Sequence, residues 1–159
     1  EMLKLSELTL AGCILKKIFY KITNNKMAYR NTPQPSVMMR YSKFENERLL
    51  AGRQSANFFR TDAEKALATT PDDNMDLSNL YEGATTHKEI CFYTVARLMS
   101  FINKFETINT DRLHICIASA LLGKKVNFYA NSYFKCQAIY EFSLKDNFRS
   151  VNWCGGKTN

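Results

Sequence analysis

From Asn57 onward the chain alternates short β-type runs with amphipathic helical stretches, and the connections between them are brief. "NFF", "ETINT", "KVNFYA" and "SVNW" read as strands, while "DRLHICIASALLG" and "NSYFKCQAIYEFSL" read as helices. Such alternation is the pattern of a parallel sheet whose crossovers are helices. The expected fold is therefore α/β, a Rossmann-like parallel sheet with flanking helices, over residues 55–159. A basic helical segment, residues 1–54, precedes it.

In such sheets ligands bind beyond the carboxyl ends of the strands, where the turns into helices gather. Polar residues collect at those places here: Arg60 and Thr61 after "NFF", Thr110 to His114 after "ETIN", and Asn131 to Lys135 after "NFYA". Local signals predict the remaining elements. "RTDAEKALA" opens as a helix with Thr61 as N-cap and Glu64 completing a capping box. "TTPDDNMDLSNLYEG" is a polar connection. "THKEICFYTVARLMSFINKF" is a helix with Ile90, Tyr93/Thr94, Arg97/Leu98 and Phe101/Ile102 in register. Gly123 stops the helix that begins near Asp111.

Charge separates the two parts. Residues 1–60 hold eleven Lys/Arg against four Asp/Glu, whereas residues 61–159 hold equal numbers, so the net +7 belongs to the first third. Residues 3–22 place Leu3, Leu8, Cys13/Ile14, Ile18 and Ile22 near one face, with Lys4, Lys16, Lys17 and Lys21 mostly off it. Two readings are open: a helix on a membrane surface, and one packed on a neighbouring domain, which is favoured because an apolar stripe usually serves a core. "NTPQPS" breaks regular structure, and "SKFENERLLAGR" is helical. No apolar run reaches the length of a membrane span. The basic third carries no interleaved aromatic platform or known motif, which argues against a nucleic-acid role. Five widely spaced cysteines without a CxxC or Cys/His cluster read as reduced thiols in a cytoplasmic protein and not as metal ligands.

With Thr110 or Asp111 as N-cap, Arg112 and His114 fall in the first turn of a helix, whose unpaired N–H groups and dipole favour an anion. Arg112 offers a bidentate fork for phosphate or carboxylate. His114 can donate to an anion or exchange a proton. Lys135 and Arg60 also sit at helix starts, where a cation opposes the dipole. An anionic ligand explains that placement, and so does a salt bridge. The first-turn chemistry alone leaves the functional reading level with a structural one in which Asp111 caps, Arg112 pairs with an acid and His114 is buried.

"TDRLHICIASALLGKKVNFYANSYFK", Thr110 to Lys135, resembles the signature of the polysaccharide pyruvyltransferase family, the ExoV-like ketal pyruvyltransferases of bacterial exopolysaccharide and capsule synthesis. "FFRTDAEKA" and "DDNMDLS" resemble upstream blocks of the same group, and the likeness covers roughly residues 57–152. The resemblance implies a GT-B-like architecture of which this segment is the C-terminal, donor-binding half. It also implies transfer of pyruvate from phosphoenolpyruvate to a sugar as a cyclic ketal, without a cofactor or metal. The Arg-Leu-His stretch carried over is Arg112, Leu113 and His114, with His114 as general acid, Arg112 on the donor phosphate and Asp111 capping and orienting within the catalytic set. Arg60 is the weaker candidate for the donor carboxylate. Asn131, Tyr133 and Lys135 of the N-S-Y-x-K block complete the substrate-binding set. His87, at a helix start far from the motif, is read as a surface residue.

The partners implied are phosphoenolpyruvate, a saccharide or lipid-linked oligosaccharide acceptor, and a missing N-terminal half, because family members are considerably longer. The location implied is cytoplasmic, with peripheral contact at the inner face of a bacterial plasma membrane. Two other readings compete. One is a GT-B-type glycosyltransferase using a nucleotide-sugar donor, and the other is an inactive truncated binding module.

Overall fold

The parallel sheet is held together by side-chain amides on one face and apolar packing on the other. The computed structural model describes residues 2–22, 24, 50, 52–65, 70–77 and 88–155. Two compact units divide the chain: residues 1–45 with 80–100, and residues 46–79 with 101–159. The sequence suggested a single break after residue 54; the two units are instead interleaved along the chain.

In the first unit, helix α1 spans Met2–Ile22. Its burial departs from the expected stripe. Among its described side chains Cys13 and Lys17, one turn apart, are buried, while Ile14, Ile18 and Ile22 are exposed together with Leu15 and Phe19. Lys17 thus lies on the inward face and not off it. Helix α2, Lys88–Ile102, belongs to this unit up to Ser100 and buries Ile90, Tyr93 and Thr94 as expected; the next turn buries Ala96, while the expected Arg97 and Leu98 are half-buried. The "NTPQPS" loop, most of "SKFENERLLAGR" and His87 lie outside the described residues.

The second unit contains four parallel strands in sequential order: β1 (Ser55–Phe58), β2 (Thr107–Thr110), β3 (Lys125–Phe128) and β4 (Val151–Trp153). Helix α3 (Leu113–Leu121) joins β2 to β3. Helix α4 (Lys135–Ile139), running on into a π-helical turn at Tyr140–Leu144, joins β3 to β4. This is the expected Rossmann-like α/β arrangement.

A strand's period of two sends alternate side chains to opposite faces. Phe58, Thr110, Phe128 and Trp153 lie in register on one of them, beside Ala56, Ile108, Val126 and Val151. The end of α2 packs here, with the Phe101 and Phe105 rings 5.9 and 5.8 Å from Phe58. Cys116 and Ala120 of α3 and Cys136 of α4 close over Val126 and Phe128. Burial pushes the Cys116 thiol up to about 12 and the Cys136 thiol up to about 11, so both behave as small hydrophobes.

The opposite face is polar. Asn57, Asn109, Asn127 and Asn152 stand side by side across the four strands. Asn127 Nδ2 donates to Asn109 Oδ1 at 2.8 Å, and Asn109 Nδ2 donates to Asn57 Oδ1 at 2.9 Å. Asn57 Nδ2 donates to Asp73 Oδ1 at 2.8 Å, and Asp73 is also paired with Arg53. A parallel sheet usually buries apolar side chains on both faces, and this amide ladder replaces one of those layers.

Helix α3 ends as its sequence predicts. Gly123 has φ +70, the left-handed region where a side chain is strained. Lys124 N–H donates to Ser119 C=O at 3.0 Å and Gly123 N–H to Ala120 C=O at 2.9 Å, the pair of bonds of a Schellman stop.

Candidate functional site at the carboxyl ends of the strands

Three turns leave the carboxyl ends of β1, β2 and β3 and are tied to one another by hydrogen bonds. Thr110, the last residue of β2, donates its hydroxyl to Phe58 C=O at 2.7 Å and accepts the N–H of Arg112 at 3.0 Å. Tyr129 N–H, just past β3, donates to Thr110 C=O at 2.9 Å. Ser132 N–H donates to Glu64 C=O at 3.1 Å, closing the third turn onto the first.

Asp111 is fully buried among these turns. Its Oδ1 accepts the N–H of Arg60 at 2.8 Å, and its Oδ2 has no hydrogen-bond partner. Removal from water pushes its pKa up, with the Arg60 N–H opposing that shift. Asp111 does not cap α3, as the sequence suggested. Arg112 occupies the N-cap position with an extended backbone and no side-chain cap bond, so Asp111 serves to join the β1 and β2 turns.

Arg112 is drawn inward, its side chain 13% exposed. Nη2 donates to Asp76 Oδ2 at 2.6 Å and to Asp62 Oδ2 at 3.2 Å, while its buried Nε has no partner. Arg60, 16% exposed, reaches the same carboxylate: Nε donates to Asp62 Oδ1 at 2.9 Å and Nη2 to Asp62 Oδ2 at 3.0 Å. A further ion pair links Arg60 Nη2 to Glu64 Oε2 at 2.5 Å. The Arg60 hydrogen bond is the main force holding the Asp62 carboxyl below the usual carboxylate range, and the charge of Arg112 adds to it. Arg60 therefore has a salt-bridge explanation for its position, one of the alternatives the sequence left open.

Thr61 is not a helix cap. Residues 61–65 form a turn, in which Thr61 N–H and Oγ1 both donate to Asp76 Oδ2 at 2.9 Å and Glu64 N–H donates to Asp62 Oδ1. Asp76 arrives on the segment 70–77, which runs beside β1. Met75 N–H donates to Asn57 C=O at 2.9 Å, and the Asn74 amide exchanges two hydrogen bonds with the backbone of Phe59. Sequence reasoning missed Asp76; its only trace was "DDNMDLS", read as a polar connection and a weak upstream block.

His114 is exposed on the first turn of α3, and Leu113 packs against the core cluster. Asn131 is buried with Oδ1 unpartnered, while Tyr133 and Lys135 are exposed. The expected Asn131-Ser132 cap of α4 is not made: Phe134 holds the N-cap position in helical conformation without a side-chain bond. Arg60, Asp111 and Arg112 are thus brought together directly. Asn131, Tyr133 and Lys135 share the adjoining turn, whose Cys136 Sγ contacts Asp111 C=O at 3.5 Å.

Buried polar atoms are nearly always satisfied in folded proteins. Asp111 Oδ2, Arg112 Nε and Asn131 Oδ1 are exceptions at neighbouring strand ends. They are two acceptors and one donor, hydrogen-bonding capacity left unused at the strand ends. Among the described residues no cluster of three or more His, Cys, Asp or Glu could hold a metal ion. Among them, too, no helix is long and apolar enough to cross a membrane.

No family model matches the chain, and no curated protein matches it. A solved structure of a functionally uncharacterized protein from Klebsiella pneumoniae subsp. pneumoniae NTUH-K2044 is similar, with a TM-score of 0.56 and 33% sequence identity over 64% of this chain. The matched part spans 36% of that chain.

Proposed function

We propose that the chain carries the donor-binding part of a pyruvyltransferase that moves pyruvate from phosphoenolpyruvate to a saccharide of a bacterial surface polysaccharide, forming a ketal. One observation carries this reading: Arg60 and Arg112, from different strand ends, converge on a single carboxylate oxygen, Asp62 Oδ2, at 3.0 and 3.2 Å. Two guanidinium groups aimed at one point suit a small ligand with phosphate and carboxylate groups. The Thr110–Lys135 resemblance supplies the chemical class.

In this reading Arg112 and the N-terminus of α3 take the donor phosphate, with Lys135 at the adjoining turn, and Arg60 takes the carboxylate. Asp111 holds the β1 and β2 turns in register through the Arg60 N–H. His114 delivers a proton to the methylene carbon of the enol, and a sugar hydroxyl adds to the cationic carbon, losing its proton to solvent. A second hydroxyl of the same sugar then displaces phosphate, giving up its proton to solvent while the phosphate leaves with the C–O bonding pair, and the ketal closes. The acceptor is a saccharide or lipid-linked oligosaccharide, and the reaction belongs at the inner face of the plasma membrane.

Calorimetry against phosphoenolpyruvate and a panel of nucleotide sugars tests the donor. Binding of phosphoenolpyruvate that is lost in Arg112→Ala is expected. Tight binding of a nucleotide sugar without phosphoenolpyruvate would move the assignment to a glycosyltransferase. One observation favours a non-catalytic binding module: Asp62, Glu64 and Asp76 already engage both arginines. Ketal formation on adding a separately produced N-terminal half would exclude that module.

A further inference from the structure

The carboxylates around the two arginines differ in kind. Asp76 is buried, its side chain 4% exposed, and its Oδ2 receives Thr61 N–H, Thr61 Oγ1 and Arg112 Nη2. Asp62 is 46% exposed, yet its Oδ2 lies where Arg60 Nη2 and Arg112 Nη2 meet. Counted together, Arg60 and Arg112 face three carboxylates: Asp62, Glu64 and Asp76. The three carboxylates outnumber the two guanidinium groups, and an incoming anion is repelled until Asp62 turns away and the charges balance.

We infer that Asp62 is a built-in competitor for the anion site, occupying the seat between the arginines that a ligand's acidic group takes, whereas Asp76 is a positioning residue that holds Arg112 throughout. A carboxylate held by guanidinium groups from two strand ends marks where those cations converge, and its exposure lets it exchange with solvent-borne anions. Displacing it releases Arg60 Nε outright and relieves Arg60 Nη2 and Arg112 Nη2 of one acceptor each, with Glu64 and Asp76 remaining on them. A ligand with a single weak charge replaces only part of that set. The inference rests on the pyruvyltransferase reading only for the choice of phosphoenolpyruvate as the probe.

The test titrates the full chain, Asp62→Asn and Asp76→Asn with phosphoenolpyruvate and separately with inorganic phosphate, following heat of binding and, in parallel, thermal unfolding. Asp62→Asn is expected to bind both anions about two- to fivefold more tightly, the range of an exposed ion pair removed from competition. Asp76→Asn is expected to bind about tenfold more weakly, because a charge-assisted hydrogen bond no longer places Arg112. Opposite signs from two Asp→Asn changes on the same arginine are not produced by general loss of structure. Unchanged or weaker binding in Asp62→Asn overturns the inference, whether or not the buried Asp76 variant folds. Tighter phosphate binding without any phosphoenolpyruvate binding sustains the competitor and removes the proposed donor. Failure of both anions to bind wild type and Asp62→Asn overturns both.

Discussion

At the scale of residues, the site is defined by what is buried without full satisfaction. Asp111 lies in a place that penalises its charge, so its folded pKa is raised above its unfolded value. For an acid shifted in that direction the folded state binds more protons, and stability declines as pH rises through the interval between the two pKa values. Asp111→Asn keeps an acceptor for the Arg60 N–H and cannot ionise. Its Tm relative to wild type is expected to move in the variant's favour as pH rises through and above the ordinary carboxylate range, read by thermal unfolding from pH 3 to 8, about five units that bracket that range. Asp62 has the opposite sign: its depressed pKa gives stability that is present above the unfolded value and lost as pH falls through the folded one. His114 is exposed, so its removal leaves packing intact. His114→Ala is expected to lower phosphate release coupled to ketal formation by about 10²–10⁴-fold with Tm unchanged, the usual worth of general acid catalysis. Equal turnover in the variant would assign the proton to another group.

At the scale of elements, the sheet's polar face explains how strands of three or four residues keep their register. A slip by one residue would send Asn57, Asn109 and Asn127 into the apolar layer and Phe58, Thr110 and Phe128 outward. Asn109 is the middle rung, donating to Asn57 and accepting from Asn127. Asn109→Ala removes both bonds and leaves partners in a partly buried face, so it should cost about 1–3 kcal/mol in urea unfolding. The matching change at Asn152, exposed at the sheet's edge and linked to Cys154 at 3.5 Å, should cost less. Gly123→Ala forces a side chain into the left-handed region at the end of α3, at about 1–2 kcal/mol. The glycine stop was legible beforehand because one residue's backbone preference decides it. The caps at Thr61, Asp111 and Asn131 were misread because each side chain found another role: bonding Asp76, receiving the Arg60 N–H, or being buried without a cap bond.

At the scale of the whole molecule, among the described residues strands β2 and β3 are paired on both sides, β1 and β4 on one. Hydrogen exchange should therefore be slowest at Ile108 and Val126 and faster at Val151, since the central strands open only when the unit does. Faster exchange at Ile108 than at Val151 would contradict that order. The described helices add a second lesson. The exposed Ile14, Ile18 and Ile22 on α1 show that helical spacing locates a stripe without deciding which face is buried.

The sequence by itself determined the parallel α/β plan, the order of strands and helices, and the turns where arginine and aspartate collect. Those features follow from periodicity, glycine conformation and the handed, short connections of such sheets, all local or nearly local. Only the tertiary structure decided that Asp76 would cross from a polar connection to hold Arg112, that Asp62 would sit between two arginines, and that four asparagines would align into one row. Each depends on residues far apart in the chain meeting at a fixed distance. Hydrogen bonds and ion pairs are made at such distances, and no single segment of sequence carries them.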